Sequence, residues 1–115
     1  MRSKPGDRIR LQHIVDAIVE IESYLDGVEI HTFLENSMMR FACIKQMEIV
    51  GEASNHLSDE TRAKLSSIEW GQIVGMRNIF VHEYFGVDSF IVWEIARTDL
   101  PDLKQKILAI LDSID

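Results

Sequence analysis

The stretch Ile30–Leu57, IHTFLENSMMRFACIKQMEIVGEASNHL, carries Ile30, Phe33, Leu34, Met38, Phe41, Ile44, Met47 and Val50 at steps of mostly three and four residues. That spacing follows the 3.6-residue period of an amphipathic helix. A single helix over 30–57 would be about 40 Å long at 1.5 Å per residue, and it is the predicted backbone of the domain. Upstream, from Asp7 to Leu25, a second stripe runs through Ile14, Val15, Ile18, Val19, Ile21 and Leu25, and Gly27 stops it. Downstream, Ser66-Ser67-Ile68-Glu69 has the capping-box spacing of a Ser followed three residues later by Glu. A third long helix is expected from there through Trp70, Ile73, Val74, Met76, Ile79 and Phe80 to a C-terminal cap at Gly86. Asp88 reads as the next N-cap, opening a short helix with Phe90, Ile91, Trp93 and Ile95. Pro101 sits where a first-turn proline is tolerated, ahead of a last stripe of Leu103, Ile107, Leu111 and Ile114. No segment alternates with period two. The expectation is an all-α antiparallel bundle of about five helices forming one domain over 1–115.

Composition agrees with that architecture. A chain of 115 residues, 46% apolar and 27% charged, can bury roughly two-thirds of the surface its unfolded form exposes, so it needs no disulfide or structural metal to build a core. Turn formers are scarce, with six Gly and two Pro, and there is no internal repeat or Gly/Ser linker. The single cysteine, Cys43, rules out an intramolecular disulfide and a Cys-rich zinc site. Neither a leader-like segment nor a run of about 20 apolar residues is present, which makes a reducing, cytoplasmic setting the expectation and a membrane partner unexpected.

Charge at first opposes a polyanionic partner, because 12 Lys and Arg against 19 Asp and Glu leave a net −7. The distribution is uneven. Residues 1–10 carry Arg2, Lys4, Arg8 and Arg10 against Asp7 alone, so this end is able to face a phosphate; a solubilising helix start is the equally weighted alternative.

One segment concentrates unusual polar residues inside an apolar pattern: Gly75-Met76-Arg77-Asn78-Ile79-Phe80-Val81-His82-Glu83-Tyr84-Phe85-Gly86. Arg and His together are what phosphodiester cleavage without a metal requires. A guanidinium offers a planar fork to the charge growing on a pentavalent phosphorus, and an imidazole titrating near neutrality moves a proton to or from an oxygen. On an ideal helix His82 stands about 140° around from Arg77, whereas Tyr84 lies within about 20° of it. Three arrangements would join Arg77 to His82: a loosened helix end, a wrapped Arg side chain, or two copies of the segment meeting across a symmetric dimer. The dimer is preferred, because a two-fold interface doubles the local positive charge. A His near a helix end is more often a cap or a surface residue than a catalyst, so spacing alone leaves the structural reading ahead. His13, His31, His56 and His82 are far apart in sequence and make no His-x3-His pair, so neither a metal nor a cofactor is expected. Gly-rich phosphate loops and a Ser nucleophile elbow are also missing, leaving kinase, Rossmann and hydrolase readings unsupported.

Arg77-Asn78-x3-His82-x-Tyr84 matches the Arg-x4-His-x-Tyr motif of the HEPN superfamily, and the chain resembles its HepT-like branch. Gly51-Glu52-Ala53, Trp70 with Gly75-Met76, Tyr84-Phe85-Gly86-Val87-Asp88, Ile91-Val92-Trp93 and Asp99-Leu100-Pro101 extend the resemblance over nearly the whole sequence. It implies a small helical homodimer that acts as a toxin, cleaving RNA without a metal at a composite site on the dimer interface. By that carry-over Arg77 and His82 are the catalytic pair: Arg77 stabilises the phosphorane, and His82 serves as base for the ribose 2′-OH or acid for the leaving 5′-oxygen. Asn78 orients His82 or a phosphate oxygen. The implied partner is a minimal nucleotidyltransferase (MNT) antitoxin that transfers AMP from ATP onto the motif tyrosine, Tyr84 here; ATP enters only through that partner. AMP on Tyr84 would add bulk and a phosphodiester anion on the face that Arg77 shares, blocking RNA.

Glu83 and the net charge depart from what RNA binding favours without breaking the motif. Glu52 is expected to be structural, pairing with an Arg inside the bundle, while Met38, Met39 and Met47 read as core or dimer-interface filler. Two other functions fit the same residues: a non-catalytic helical partner that presents substrate or Tyr84 to a nucleotidyltransferase, and a dimeric interaction module with a decayed motif. The presence of both Arg77 and His82 favours the nuclease over the decayed module.

Overall fold

A computed structural model describes residues 6–82 and 88–114, with the side chains of 6–77 and 88–114. The all-α expectation holds, and among these residues there is no strand. Helix α1 (Asp7–Tyr24) buries Leu11, Ile14, Val15, Ala17, Ile18 and Ile21 along one stripe. Val19, counted with that stripe from spacing, is instead 48% exposed. The helix closes with Leu25 N–H donating to the Ile21 carbonyl, and Gly27 then turns the chain at φ 70°, a conformation costly for any residue with a Cβ.

The predicted helix over 30–57 is two helices, α2 (Ile30–Glu35) and α3 (Ser37–Asn55), divided at Asn36. Asn36 is extended (φ −109°, ψ 94°), and its side-chain oxygen accepts from Met39 N–H at 3.0 Å as the N-cap of α3. Arg40 Nη1 satisfies the carbonyls left open at the end of α2, donating to Leu34 O at 2.6 Å and Phe33 O at 3.3 Å. Apolar residues continue at helical steps across Asn36, so the period does not register the break. Burial does register it: Phe33 is fully buried, whereas Met38 and Phe41, just beyond the cap, are 79% and 40% exposed. Met47 joins the core, and Met39 packs against it.

A short helix that periodicity cannot detect, α4 (Asp59–Ala63), follows, with Ser58 as its N-cap accepting from Thr61 N–H. It is pinned to the start of α1 by a buried carboxylate. Asp7 accepts from Ser58 Oγ and Thr61 Oγ1, both at 2.6 Å, and from Ser58 N–H at 3.2 Å. These bonds offset the desolvation of a charge with no exposed surface.

Helix α5 (Trp70–His82) begins later than the capping box implies. Glu69, expected at the third helical position, lies just before the helix; its carbonyl accepts from Gln72 and Ile73, while Ser66 and Ser67 sit in the preceding turn. The start is anchored by Trp70, whose buried indole N–H donates to the carbonyls of Arg62 and Leu65. The expected cap at Gly86 lies outside the described residues. Asp88 does cap α6 (Ser89–Glu94), accepting from Phe90 N–H at 2.8 Å.

Helix α6 does not stop before Pro101. A π-helical turn at Ile95–Asp99 joins it to α7 (Leu100–Ile110), with Leu100 N–H reaching back five residues to Ile95 O. Pro101 has no N–H and crowds the carbonyl four residues before it; a widened turn on that side accommodates the ring.

Helix α3 is the central element, packed between α1 and α5, and α7 closes the other side of α1. Neighbours run antiparallel: the start of α1 meets the residues following α3 through Asp7 and Ser58, and the two ends of α1 meet the C-terminal segment through Arg8–Asp112 and Glu22–Lys104. The core includes Leu11, Ile14, Ile18, Phe33, Met47, Val50, Leu100 and Ile107, each buried aliphatic contributing about 1.5–3 kcal/mol. Phe33 and Trp93 tilt against each other at 5.1 Å, tying α2 to α6. Among the described residues no helix is long and apolar enough to cross a membrane.

Candidate active site

The site is built where α5 crosses α3, and the crossing depends on one missing side chain. A Cβ at Gly51 would lie 2.9 Å from Arg77 N, 3.1 Å from Arg77 Cβ and 3.1 Å from Ile73 O. Only glycine lets the α5 backbone come this close, and Arg77 is the residue seated on it. The neighbouring Ala53 is also buried.

From that seat the Arg77 side chain, 31% exposed, extends to Glu52 on α3, where Nη1 donates to Oε2 at 3.0 Å. Glu52 Oε1 meets His56 Nε2 at 2.9 Å, one helical turn further along α3. The expected Arg partner of Glu52 is therefore Arg77 itself. The pair lies at the surface and not inside the bundle, since the Glu52 side chain is 55% exposed. The hydrogen bond from Arg77, reinforced by that from His56, holds the Glu52 carboxyl below its ordinary value of 4.5.

Arg77 has donors to spare. Its Nε is shielded from solvent and without a hydrogen-bond partner among the described residues. With Nη1 taken by Glu52 and Nε shielded, Nη2 is the guanidinium nitrogen left to donate to an oxygen of a phosphate or carboxylate.

Of the other residues singled out by sequence, Asn78 and His82 are described as backbone only. Both lie on α5, whose helix continues unbroken to His82, five residues and about 7.5 Å of rise beyond Arg77. Tyr84 and Glu83 lie outside the described residues. His13 and His31 are exposed and remote in the chain from α5, and no group of three or more His, Cys, Asp or Glu is placed to hold a metal ion among the described residues. Cys43 is fully buried in α3, and burial pushes its thiol up to about 11, which removes it as a nucleophile. Sequence reasoning missed His56; its i,i+4 spacing from Glu52 was the available signal.

Residues 14–110 match the family model described as "Ribonuclease HepT-like". The chain is 32% identical over 105 residues to "Putative RNase MJ1380" of Methanocaldococcus jannaschii, a match covering 91% of this chain and 96% of that protein. It is 34% identical to "Putative RNase TTE0752" of Caldanaerobacter subterraneus subsp. tengcongensis, covering 88% and 90% of the two chains. It is also 34% identical to "Probable ribonuclease HepT" of Thermococcus cleftensis, covering 84% and 87%. No solved structure matches.

Proposed function

The chain belongs to the HepT-like ribonuclease family, and on that footing we propose that it is a metal-independent endoribonuclease with Arg77 and His82 as its catalytic pair. The observation that carries the assignment of Arg77 is its divided guanidinium. Glu52 holds Nη1, while Nη2 makes no hydrogen bond among the described residues. A guanidinium held in place before substrate arrives is what electrostatic stabilisation of a phosphorane needs, because little reorganisation is left to the reaction itself.

In the proposed reaction the ribose 2′-oxygen attacks the adjacent phosphorus and the bond from phosphorus to the 5′-oxygen breaks, leaving a 2′,3′-cyclic phosphate and a 5′-hydroxyl. Arg77 stabilises the doubly charged equatorial oxygens. His82 takes the 2′-OH proton while water protonates the leaving 5′-oxygen, or it supplies that second proton while water takes the first. Asn78, adjacent to Arg77 on α5, orients His82 or a phosphate oxygen. Because Arg77 and His82 are separated by five residues on one helix, the reading places complementary copies of the pair across a homodimer.

The regulatory half of the proposal follows from the same face. A cytoplasmic toxin of this kind is neutralised when an MNT-type nucleotidyltransferase antitoxin attaches AMP from ATP to the Tyr84 hydroxyl, releasing pyrophosphate. The added phosphodiester competes for Arg77 and excludes RNA.

The test is incubation of purified, unmodified protein with labelled RNA in EDTA, beside His82→Ala and Arg77→Ala. Cleavage that survives chelation, leaves cyclic 2′,3′-phosphate ends and drops at least about 100-fold in both variants is the expected result. No cleavage of messenger or transfer RNA by verified unmodified protein would transfer the assignment to a non-catalytic partner of the nucleotidyltransferase.

A further inference from the structure

The basic N-terminal end noted in the sequence has no role in the reaction above, and the structure separates its members. Asp7 is consumed by Ser58 and Thr61. Arg8 is held by Asp112 and the Ile114 carbonyl. Arg10 makes no ion pair or side-chain hydrogen bond among the described residues. It lines a groove of about 340 Å³ between α1 and α3, together with Ile9, His13, Ile49, Glu52 and His56.

This groove shares a wall with the candidate active site. Glu52 presents Oε2 to Arg77 and Oε1 to His56, so one carboxylate separates the guanidinium from the groove. Arg10 and the two imidazoles of His13 and His56 face a single acid, and that acid is already bonded at both oxygens. In a chain of net charge −7 this leaves Arg10 as a guanidinium without an acidic partner among the described residues, in a groove whose one acid is already engaged. The groove also has apolar walls, with Ile9 60% and Ile49 37% exposed. A guanidinium and imidazole N–H donors beside solvent-facing apolar side chains suit a single strand of nucleic acid, whose phosphates meet the donors while a ribose or base face covers the aliphatics. The volume is at the low end of clefts that hold small ligands.

We infer that the α1–α3 groove is an RNA subsite, in which Arg10, assisted by His13, binds a phosphate of the strand flanking the scissile bond. The inference rests on the ribonuclease reading for its proximity to Arg77. It assigns Arg10 to binding and not to chemistry.

The experiment is fluorescence anisotropy of a labelled 12-nucleotide single-stranded RNA with the full chain carrying His82→Ala, so that binding is read whether or not the protein cleaves. Arg10→Glu and His13→Glu are compared with Lys106→Glu, an equal or similar charge change beside a different cavity. Loss of the Arg10 contact is expected to weaken binding about 5- to 20-fold and to lower the slope of log affinity against log salt by about 0.7, while Lys106→Glu stays within about twofold. His13→Glu, at an exposed position, is expected to weaken binding in the same direction and guards against an Arg10 variant that misfolds. In the cleavage-competent background the Arg10 substitution should raise KM for the 12-mer by a larger factor than it lowers kcat. Unchanged affinity and salt slope in both groove variants would overturn the subsite. So would sedimentation showing that they dissociate a dimer, which would make the groove an interface between copies of this chain. Wild-type protein that binds RNA through Arg10 but cleaves none would instead sink the ribonuclease reading and leave the subsite standing.

Discussion

Arg77 is singled out in the sequence by the motif it shares with the HepT-like family; its partner Glu52 is not, because 25 residues separate them and only the crossing of α3 with α5 brings them to 3.0 Å. That contact has a pH signature. A carboxyl held below 4.5 in the folded chain by Arg77 and His56 stabilises the fold above the unfolded value and loses that contribution as pH falls through the folded one. Glu52→Gln should therefore lower the urea midpoint at pH 7, and the difference from wild type should shrink below about pH 4.5 and vanish at lower pH. Because Glu52 stays ionised through the neutral range, the substitution should leave the limbs of the pH–rate profile between about pH 5 and 8 in place while lowering kcat through a less constrained Arg77. A stability difference that grows as the solution is acidified would contradict the bonding seen at Glu52.

At the scale of the element, helical period identified the long α1 and α5 and the terminal stripe, of which α1 and the terminal stripe bury residues at three- and four-residue steps. It failed where local polar chemistry decides. Asn36 interrupts a continuous apolar pattern by capping α3, Ser58 opens a helix too short to show a period, and the π turn before Pro101 leaves no spacing signal. Gly51 stands between these cases: small residues at Gly51 and Ala53 are compatible with close approach of helices, but nothing in the sequence says that Arg77 is the residue approached. Gly51→Ala sets two effects against each other. Alanine gains about 0.5–1 kcal/mol of helix preference, but its Cβ would meet Arg77 N at 2.9 Å, backbone that cannot swing aside as a side chain would. Overpacking at about 1–3 kcal/mol wins, so the variant should melt several degrees lower and cleave RNA less well, with α5 and Arg77 displaced from α3. Thermal denaturation beside single-turnover cleavage checks this, and a more stable variant with full activity would show that the helices separate without cost.

At the scale of the whole molecule, charge and geometry pose the same question. A chain of net −7 has to gather its cations to hold RNA, and one continuous helix sets Arg77 and His82 five residues apart. The proposed two-fold pairing would resolve both, by doubling the cations at one place and letting each Arg77 work with the His82 of the other copy. This composite arrangement differs measurably from a site contained in one chain. Arg77→Ala and His82→Ala should each be inactive alone. When they are unfolded together and refolded as a 1:1 mixture, half of the dimers are heterodimers, and in each of these one site combines the intact Arg77 of one copy with the intact His82 of the other. About a quarter of wild-type activity should return, since half of the dimers carry one of two sites. Differently tagged copies, purified in tandem, should raise that value to about half. Tandem-purified heterodimer with no activity would place both groups of a working site within one chain, and would require the Arg77 side chain to reach His82 along its own helix.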